Sequence, residues 1–162
     1  MELAFAQYRK PLSPDLVASF FSVFARFEYA LKAAGFAAGA GHRRAEPQWS
    51  RFASVHGYDL MRSPDRDVQI AIATLVNDPP MVEMMSEENT VFWATRPLAG
   101  KNNGTRAIHA VQRVRNNLFH GGKHTNHSSP ERDRDLVRAS LVILSACLEL
   151  DQRVRTEFYD EY

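Results

Sequence analysis

The sequence of 162 residues contains few of the features that mark specialised classes of protein, such as cysteines, long apolar runs, or many glycines and prolines. Its single cysteine, Cys147, excludes an internal disulfide. No apolar run approaches the ~18 residues that a membrane-spanning helix needs, and the first residues lack the basic start and apolar block of a signal peptide. Eight glycines and eight prolines are too few for a fibrous or disordered chain. We therefore expect one cytoplasmic domain that covers residues 1–162.

Acidic residues are almost missing from one part of the chain. Between Lys101 and Arg132 there are six lysines or arginines and one acid, Glu131, so this window carries a charge of +5 in a chain whose net charge is +1. Four of the six histidines lie in the same window. A local basic region in a nearly neutral protein favours a confined anionic ligand over general coating of nucleic acid or membrane.

Helical periodicity dominates the rest of the sequence. Apolar residues recur at spacings of three and four, and the same start signal, a serine followed by proline and an acid, appears at Ser13, Ser63 and Ser129. These patterns predict an all-α, up-and-down bundle of about five helices. They cover residues 13–34, 47–56, 63–76, 105–120 and 129–158.

Glycines and prolines predict where those helices end. Gly35, Gly57 and the pair Gly121 and Gly122 follow three of them, and prolines 79 and 80 follow a fourth. Residues 81–88 are expected to add one or two helical turns. Residues 91–95 have strand-like composition but no evident partner, so we expect an irregular connection there, followed by a solvent-facing turn at residues 101–104.

Aromatic residues and the lone thiol are expected in the core. The many aromatic side chains of the first helix have the spacing of a buried face. Trp49 and Trp93 could stack on nucleobases, but core positions suit them better. Cys147 lies in the most apolar part of the last helix, where a buried thiol acts as a small hydrophobe.

The residues best suited to catalysis lie at the end of the fourth predicted helix. Arg115 and His120 are five apart, with Asn116 beside the arginine. RNA cleavage without a metal requires a proton acceptor for the 2′-hydroxyl, a cation for the phosphorane and a proton donor for the leaving oxygen. A histidine titrates near neutral pH and an arginine binds phosphate through two donors, so Arg115 and His120 can fill these roles with Asn116 as a polar helper. Alternatively, an arginine and a histidine in this position simply bind the last carbonyls of the helix.

The run from Arg115 to His120 resembles the Arg-x4-His signature of the HEPN superfamily. The similarity extends to residues 27–35, to Trp49-x-x-Phe52, to residues 77–80 and to residues 116–123. The resemblance implies a helical bundle that cleaves RNA without metal at a composite site across a homodimer, often in toxin–antitoxin or defence settings. It also implies that Arg115 and His120 are catalytic and Asn116 assists them. Some HEPN proteins only bind RNA, nucleotides or proteins.

Four further residues are candidates for binding or support: Glu28, Asn117, Lys123 and His124. Glu28 could pair with Lys32 four residues later, or could face the interior and hold Arg115 in position. Lys123 and His124 would add positive potential for phosphate, although both also suit a solvated loop.

The partners we expect are an RNA substrate, a second copy of the chain and, in the toxin setting, an antitoxin; no membrane and no cofactor are expected. Histidines 120, 124 and 127 could hold zinc, but the run contains no carboxylate or thiol. The sequence therefore predicts an HEPN-type endoribonuclease, with a non-catalytic HEPN-type binding dimer as the alternative.

Overall fold

The helix Pro130–Leu150 is the central element of the fold, because it contacts all five other helices of the computed structural model. The structure describes residues 12–119 and 129–160. Within these ranges the helices are α1 (Pro14–Ala33), α2 (Trp49–Met61), α3 (Arg66–Asn77), α4 (Asn103–Phe119), α5 (Pro130–Leu150) and α6 (Gln152–Tyr159). The protein is thus all-α, as predicted. None of the described helices is long and apolar enough to cross a membrane.

Two small antiparallel hairpins complete the described elements. The first joins β1 (Ala37–Ala38) to β2 (Glu46–Pro47), and the second joins β3 (Val82–Met85) to β4 (Val91–Ala94). The second hairpin corrects two predictions, since residues 81–88 are not helical and residues 91–94 do have a strand partner. The pairing of Met85 with Val91 across a short turn supplies the backbone hydrogen bonds that a lone strand would lack.

Aromatic side chains from α1 and α2 form much of the core. The ring of Trp49 stacks on Phe24 and Phe27, with centroids 5.2 and 5.3 Å apart, and Trp49 is only 6% exposed. Phe52 meets Phe27 edge to face. The core positions predicted for Phe20, Phe24, Phe27 and Trp49 are confirmed, whereas Tyr29 on the same helix is exposed.

Local signals at two helix ends act as predicted. Gly35 has φ +94°, donates to Lys32 O and is followed by Phe36, whose N–H donates to Leu31 O at 2.8 Å. This pair of bonds closes α1 in the manner typical of a terminal glycine. At α5, the hydroxyl of Ser129 accepts from Arg132 N–H at 3.2 Å.

The start of α3 differs from the prediction. The residue that caps the helix is Asp65, whose Oδ1 accepts from Asp67 N–H at 2.8 Å, and Ser63 lies outside the helix. Asp and Ser are equally good acceptors for the first N–H groups of a helix. Which of them caps α3 therefore depends on which residue has the backbone position of the N-cap.

Gly57 does not end α2, and Gly104 is not in a solvent-facing turn; both predictions were wrong. The two glycines meet where α2 crosses α4, so closely that a Cβ on Gly104 would lie 1.9 Å from Gly57 O. Next to this crossing, Thr105 Oγ1 donates to Ala53 O at 3.3 Å. Both glycines are needed for helix packing, not for a chain reversal.

The last predicted helix is interrupted at Asp151. There the chain leaves helical geometry, and the Asp151 carboxylate accepts from the N–H groups of Arg153 and Val154 to start α6. The short α6 then returns to α1, where Arg26 donates to the carbonyls of Glu157 and Phe158 at 2.8 Å.

Candidate functional site

Arg113 anchors the last turns of α4 to the chain on either side of the β3–β4 hairpin. Its guanidinium donates to Pro80 O at 3.1 Å, to Arg96 O at 2.8 Å and to Pro97 O at 3.1 Å. Half-burial lowers the pKa of this arginine below its ordinary value. Arg113 is therefore committed to the framework and is not a candidate ligand for phosphate.

Asn117 secures the same end of the helix from another side. It is 8% exposed, and its amide donates to Met81 O at 2.8 Å. Of the two adjacent amides predicted for the site, Asn117 thus has a supporting position in the interior, whereas Asn116 is exposed.

Arg132 attaches the start of α5 to the same turn. Its Nε donates to Asp78 Oδ2 at 2.7 Å, and its Nη2 donates to the carbonyls of Asp78 and Pro79 at 3.1 Å. The prolines at 79 and 80 end α3 and leave carbonyls without helical partners, which Arg113 and Arg132 satisfy. The last turns of α4 and the first turn of α5 are therefore both fixed on residues 78–81.

Arg115 has a different environment from these two arginines. It is half-buried, and its Cζ lies 5.6 Å from the ring centroid of Phe24 and 5.0 Å from that of Phe119. Its Nη1 donates to Asn116 Oδ1 at 3.1 Å. Aromatic faces attract a cation without neutralising it, so the guanidinium keeps its charge and most of its donors.

The basic window of the sequence divides into two groups in the structure. Arg106, Arg113 and Arg132 use their donors on backbone carbonyls, on Asn103 or on Asp78. Arg115, by contrast, has no carboxylate partner among residues 12–119 and 129–160. Within the described residues, the predicted basic patch thus leaves Arg115 on α4 with donors to spare, and Lys101 exposed in the connection that precedes α4.

Glu28 does not hold this arginine. Its Oε1 accepts from Trp49 Nε1 at 2.9 Å. In the described part of the chain it forms an ion pair with neither Arg115 nor Lys32. The indole that donates this bond also stacks on Phe24, whose ring is in turn beside Arg115. Glu28 therefore supports the aromatic surface under Arg115 and not the guanidinium itself.

His109 is the described histidine of the basic window. Partial burial and the neighbouring charge of Arg113 lower the pKa of His109 below the ordinary value. Its Nδ1 is 3.2 Å from Gln112 Nε2. This histidine belongs to the helix surface near the framework arginine and takes no part in the predicted constellation.

The remaining predicted site residues, His120, Lys123 and His124, lie outside the described residues, as does His127. The suggestion of a zinc site on histidines 120, 124 and 127 also falls there. Among the residues that are described, no group of three or more potential metal ligands comes together.

The structure also shows where Trp93 and Cys147 lie. Trp93 is half-exposed on β4, in contrast to the core position of Trp49. Cys147 is fully buried, and burial raises the pKa of its thiol far above the physiological range. The expectation that Cys147 is buried in the core is confirmed.

Sequence reasoning missed the aromatic neighbours of Arg115 and the buried pair of His56 and Asp151. Phe119 follows Arg115 by four residues, which is the helical spacing of side chains that touch, so that contact had a local signal. His56 Nε2 lies 3.0 Å from Asp151 Oδ2, but 95 residues separate the two and no local pattern connects them.

Comparison of the chain with family models, with curated proteins and with solved structures finds no match. The resemblance to HEPN proteins therefore rests on the Arg-x4-His run and the segments that accompany it.

Proposed function

We propose that the protein is a metal-independent, HEPN-type endoribonuclease in which Arg115 holds the phosphate to be cleaved. The observation that carries this proposal is the state of Arg115, a half-buried cation packed on Phe24 and Phe119 with no carboxylate partner among the described residues. An arginine in a partly desolvated setting acts on an anion more strongly than one in open water. Its planar group binds two phosphate oxygens at once.

His120 follows the last residue of α4 in sequence and supplies the group that titrates near neutral pH. In the reaction, a base removes the proton of the ribose 2′-hydroxyl, the 2′-oxygen bonds to phosphorus, and the bond to the 5′-oxygen breaks as that oxygen takes up a proton. Arg115 stabilises the negative charge that grows on the phosphoryl oxygens. Asn116, exposed beside it, adds a further donor. The products are a 2′,3′-cyclic phosphate and a 5′-hydroxyl.

Two proton transfers need two titratable groups, and one Arg115–His120 pair offers only one. A second copy of the chain, related by a two-fold axis, would place a second pair opposite the first. The proposed functional unit is therefore a homodimer. A protein that sediments only as a monomer at the concentrations at which it cleaves RNA would contradict this part of the proposal.

The proposal is tested by incubating single-stranded RNA with the protein in excess EDTA. Wild type should cleave, and both Arg115→Ala and His120→Ala should lose at least about 100-fold in rate, a typical effect of removing a charge-stabilising or acid–base group. Arg62→Ala is a matched control, since Arg62, which directly follows α2, also contacts the aromatic ring four residues before it, that of Tyr58 at 5.6 Å. It should cleave as wild type does.

Cleavage that EDTA abolishes, or that survives equally in both variants, would overturn the proposal. Retention of RNA binding without any cleavage would instead identify the chain as the non-catalytic binding dimer that the sequence also allows. A toxin setting with an antitoxin partner would show as slow growth on expression of wild type and normal growth with His120→Ala.

A further inference from the structure

The hydrogen bonds at the turn of the β3–β4 hairpin determine which backbone groups point away from it. Ser86 N–H donates to Thr90 O at 2.9 Å and Asn89 N–H donates to Ser86 O at 3.1 Å, so Ser86 and Thr90 form a hydrogen-bonded pair. Such pairs alternate with non-hydrogen-bonded pairs along an antiparallel ladder. The even-numbered residues of β4 therefore bond to β3, and the odd-numbered residues direct their N–H and C=O groups to the outer edge.

This outer edge of β4 is open in the described part of the chain. Within residues 12–119 and 129–160, no hydrogen bond reaches the backbone groups of Val91, Trp93 or Thr95. The outer edge of β3 differs, since β3 contacts α4 and Asn117 donates to Met81 O at 2.8 Å at its base. The edge that remains available for pairing is therefore that of β4.

The edge also lacks the features with which proteins usually prevent strand pairing. Residues 91–95 contain neither a charged residue nor a proline, and four of the five are β-branched or aromatic. Val91 is 51% exposed and Phe92 is 42% exposed. An exposed, uncharged edge of this composition is suited to the addition of another strand.

We infer that β4 pairs with β4 of a second copy of the chain, antiparallel and about a two-fold axis at Trp93. In this register Trp93 lies opposite Trp93 of the other copy, and Val91 lies opposite Thr95. All three pairs bring together backbone groups that point outward, and the two-fold axis makes the pairing self-complementary. The two hairpins then form one four-stranded sheet.

Charge complementarity favours a second copy as the partner. Glu87 and Glu88 are exposed at the turn, Arg96 is exposed just beyond β4, and none of the three forms an ion pair among the described residues. Within one chain Thr90 and Arg96 are roughly 20 Å apart, because a strand rises ~3.4 Å per residue. In the inferred register, Arg96 of each copy lies opposite Thr90 of the other, beside the two acids of its turn.

The paired strands use no residue of the proposed nuclease site. The site needs Arg115 and His120 of two copies to face each other, whereas this contact is made by residues 91–95 and the charges at either end. The inference therefore does not rest on the proposed function. Five paired residues on each side bury little surface, so the association should be weak and should depend on concentration.

Sedimentation equilibrium without RNA, at protein concentrations up to about 1 mM, tests the inference. At the upper limit wild type should reach twice the mass of Val91→Pro. The hairpin does not use the N–H of residue 91, so proline there leaves the hairpin intact and blocks only the outer edge. Met85→Pro is the matched control, since Met85 pairs with Val91 but directs its N–H to the outer edge of β3. It should associate as wild type does.

An exchange of charges tests the partner and the register. Arg96→Glu should weaken association at least about 5-fold, because it places like charges at both ends of the paired strands. The double variant Glu87→Lys with Glu88→Lys should have the same effect. An equimolar mixture of the two proteins should associate as wild type does, because acid and base then meet at both ends. Arg66→Glu, at an exposed position of α3, is the control and should change nothing.

Equal masses for wild type and Val91→Pro would overturn the inference and would leave the edge to a strand of another protein. A mixture of the charge variants that associates no better than its components would also overturn it, even if the proline variant failed to fold. Neither measurement involves RNA. Failure of the β4 pairing therefore leaves the nuclease proposal standing, and a protein that cleaves nothing leaves the β4 pairing standing.

Discussion

Arg132 Nε donates to Asp78 Oδ2 at 2.7 Å and so joins the first turn of α5 to the residue that follows α3. Arg113 and Asn117 bring the last turns of α4 to the same turn, through Pro80 and Met81. The proposed catalytic arginine is therefore carried by a helix end that is braced by non-catalytic residues. Positioning by such a rigid frame is what a phosphate-binding arginine needs, because small displacements of a charged group weaken its action on a transition state.

Asp78→Asn should have a small, pH-dependent effect on stability. The hydrogen bond from Arg132, helped by its charge, lowers the pKa of Asp78 against the opposing effect of partial burial. A lowered pKa gives stability that is present above the ordinary value of 3.8 and is lost as the pH falls through the lower folded value. Because the Asp78 side chain is 76% exposed, the loss at neutral pH should be only about 0.2 to 1 kcal/mol.

Urea denaturation of wild type and Asp78→Asn, at neutral pH and below about pH 4, checks this prediction. The difference in free energy of unfolding should shrink in acid. Glu149→Gln is the control, since Glu149 pairs with Arg155 on the surface, at 2.7 Å. A difference that grows as the pH falls would contradict the assignment.

Asp151→Ala should be more destabilising, because Asp151 starts α6 and is also the partner of the buried His56. Burial opposes ionisation, but the hydrogen bonds from Val154, His56 and Arg153 prevail and lower the pKa of Asp151. Loss of the cap and of the buried bond together should cost about 2 to 4 kcal/mol. Asp151→Asn retains a capping oxygen and should cost less than half as much.

Thermal unfolding of both Asp151 variants measures the two contributions. Equal losses for Ala and Asn would mean that the charge of Asp151, and not its capping oxygen, dominates. The stabilisation by the charge should vanish in acid, as the pH falls through the folded pKa, which lies below 3.8.

Gly104→Ala should destabilise the protein, although the same change in most helices is stabilising. A Cβ at this position would lie 1.9 Å from Gly57 O, so α2 and α4 must move apart. Overpacking of this kind costs about 1 to 3 kcal/mol. Ser50→Ala, at an exposed position of α2, is the control and should change the free energy of unfolding by less than about 0.5 kcal/mol. A more stable Gly104→Ala protein would show that the crossing is looser than described.

Glu28→Gln should leave RNA cleavage and stability nearly unchanged, because the glutamine oxygen can accept from Trp49 Nε1 as the carboxylate does. Glu28→Leu removes the acceptor and leaves a largely buried indole N–H unpaired, at a cost of about 1 to 3 kcal/mol. Cleavage rates and tryptophan-monitored urea unfolding distinguish the two. Loss of cleavage in Glu28→Gln at unchanged stability would show that the carboxylate supports the catalytic site, which is one of the two roles that the sequence allows for Glu28.

Features encoded by neighbouring residues were predictable, and features made by distant ones were not. The apolar periodicity of α1, and the role of Gly35 in ending that helix, each depend on residues that are only a few positions apart in the sequence. The close approach of Gly57 to Gly104 depends on a crossing of two helices. From the residues around it, Gly57 cannot be distinguished from a glycine that ends a helix. The β3–β4 hairpin was missed because neither strand by itself shows that it has a partner.

The same division applies to the candidate site. Arg115 and Asn116 were found from the spacing of a short run at the end of one helix. The roles of Arg113, Arg132 and Asn117 as anchors depend on carbonyls at residues 78–81, more than 30 positions away in the chain for Arg113 and Asn117. Charge counts cannot separate such anchors from ligands, because both have the same sequence signature.

In the proposed reaction, the RNA's own 2′-hydroxyl is the nucleophile and Arg115 is the phosphate-binding cation. The most direct test replaces the single ribose on the 5′ side of a mapped cleavage point by 2′-deoxyribose, in excess EDTA, and identifies the fragment ends by mass. The substituted position should no longer be cut, and at the remaining cleavage points every new 3′ end should carry a 2′,3′-cyclic phosphate and every new 5′ end a hydroxyl. Cutting at the substituted position at an unchanged rate, or fragments with 5′-phosphate ends, would contradict it.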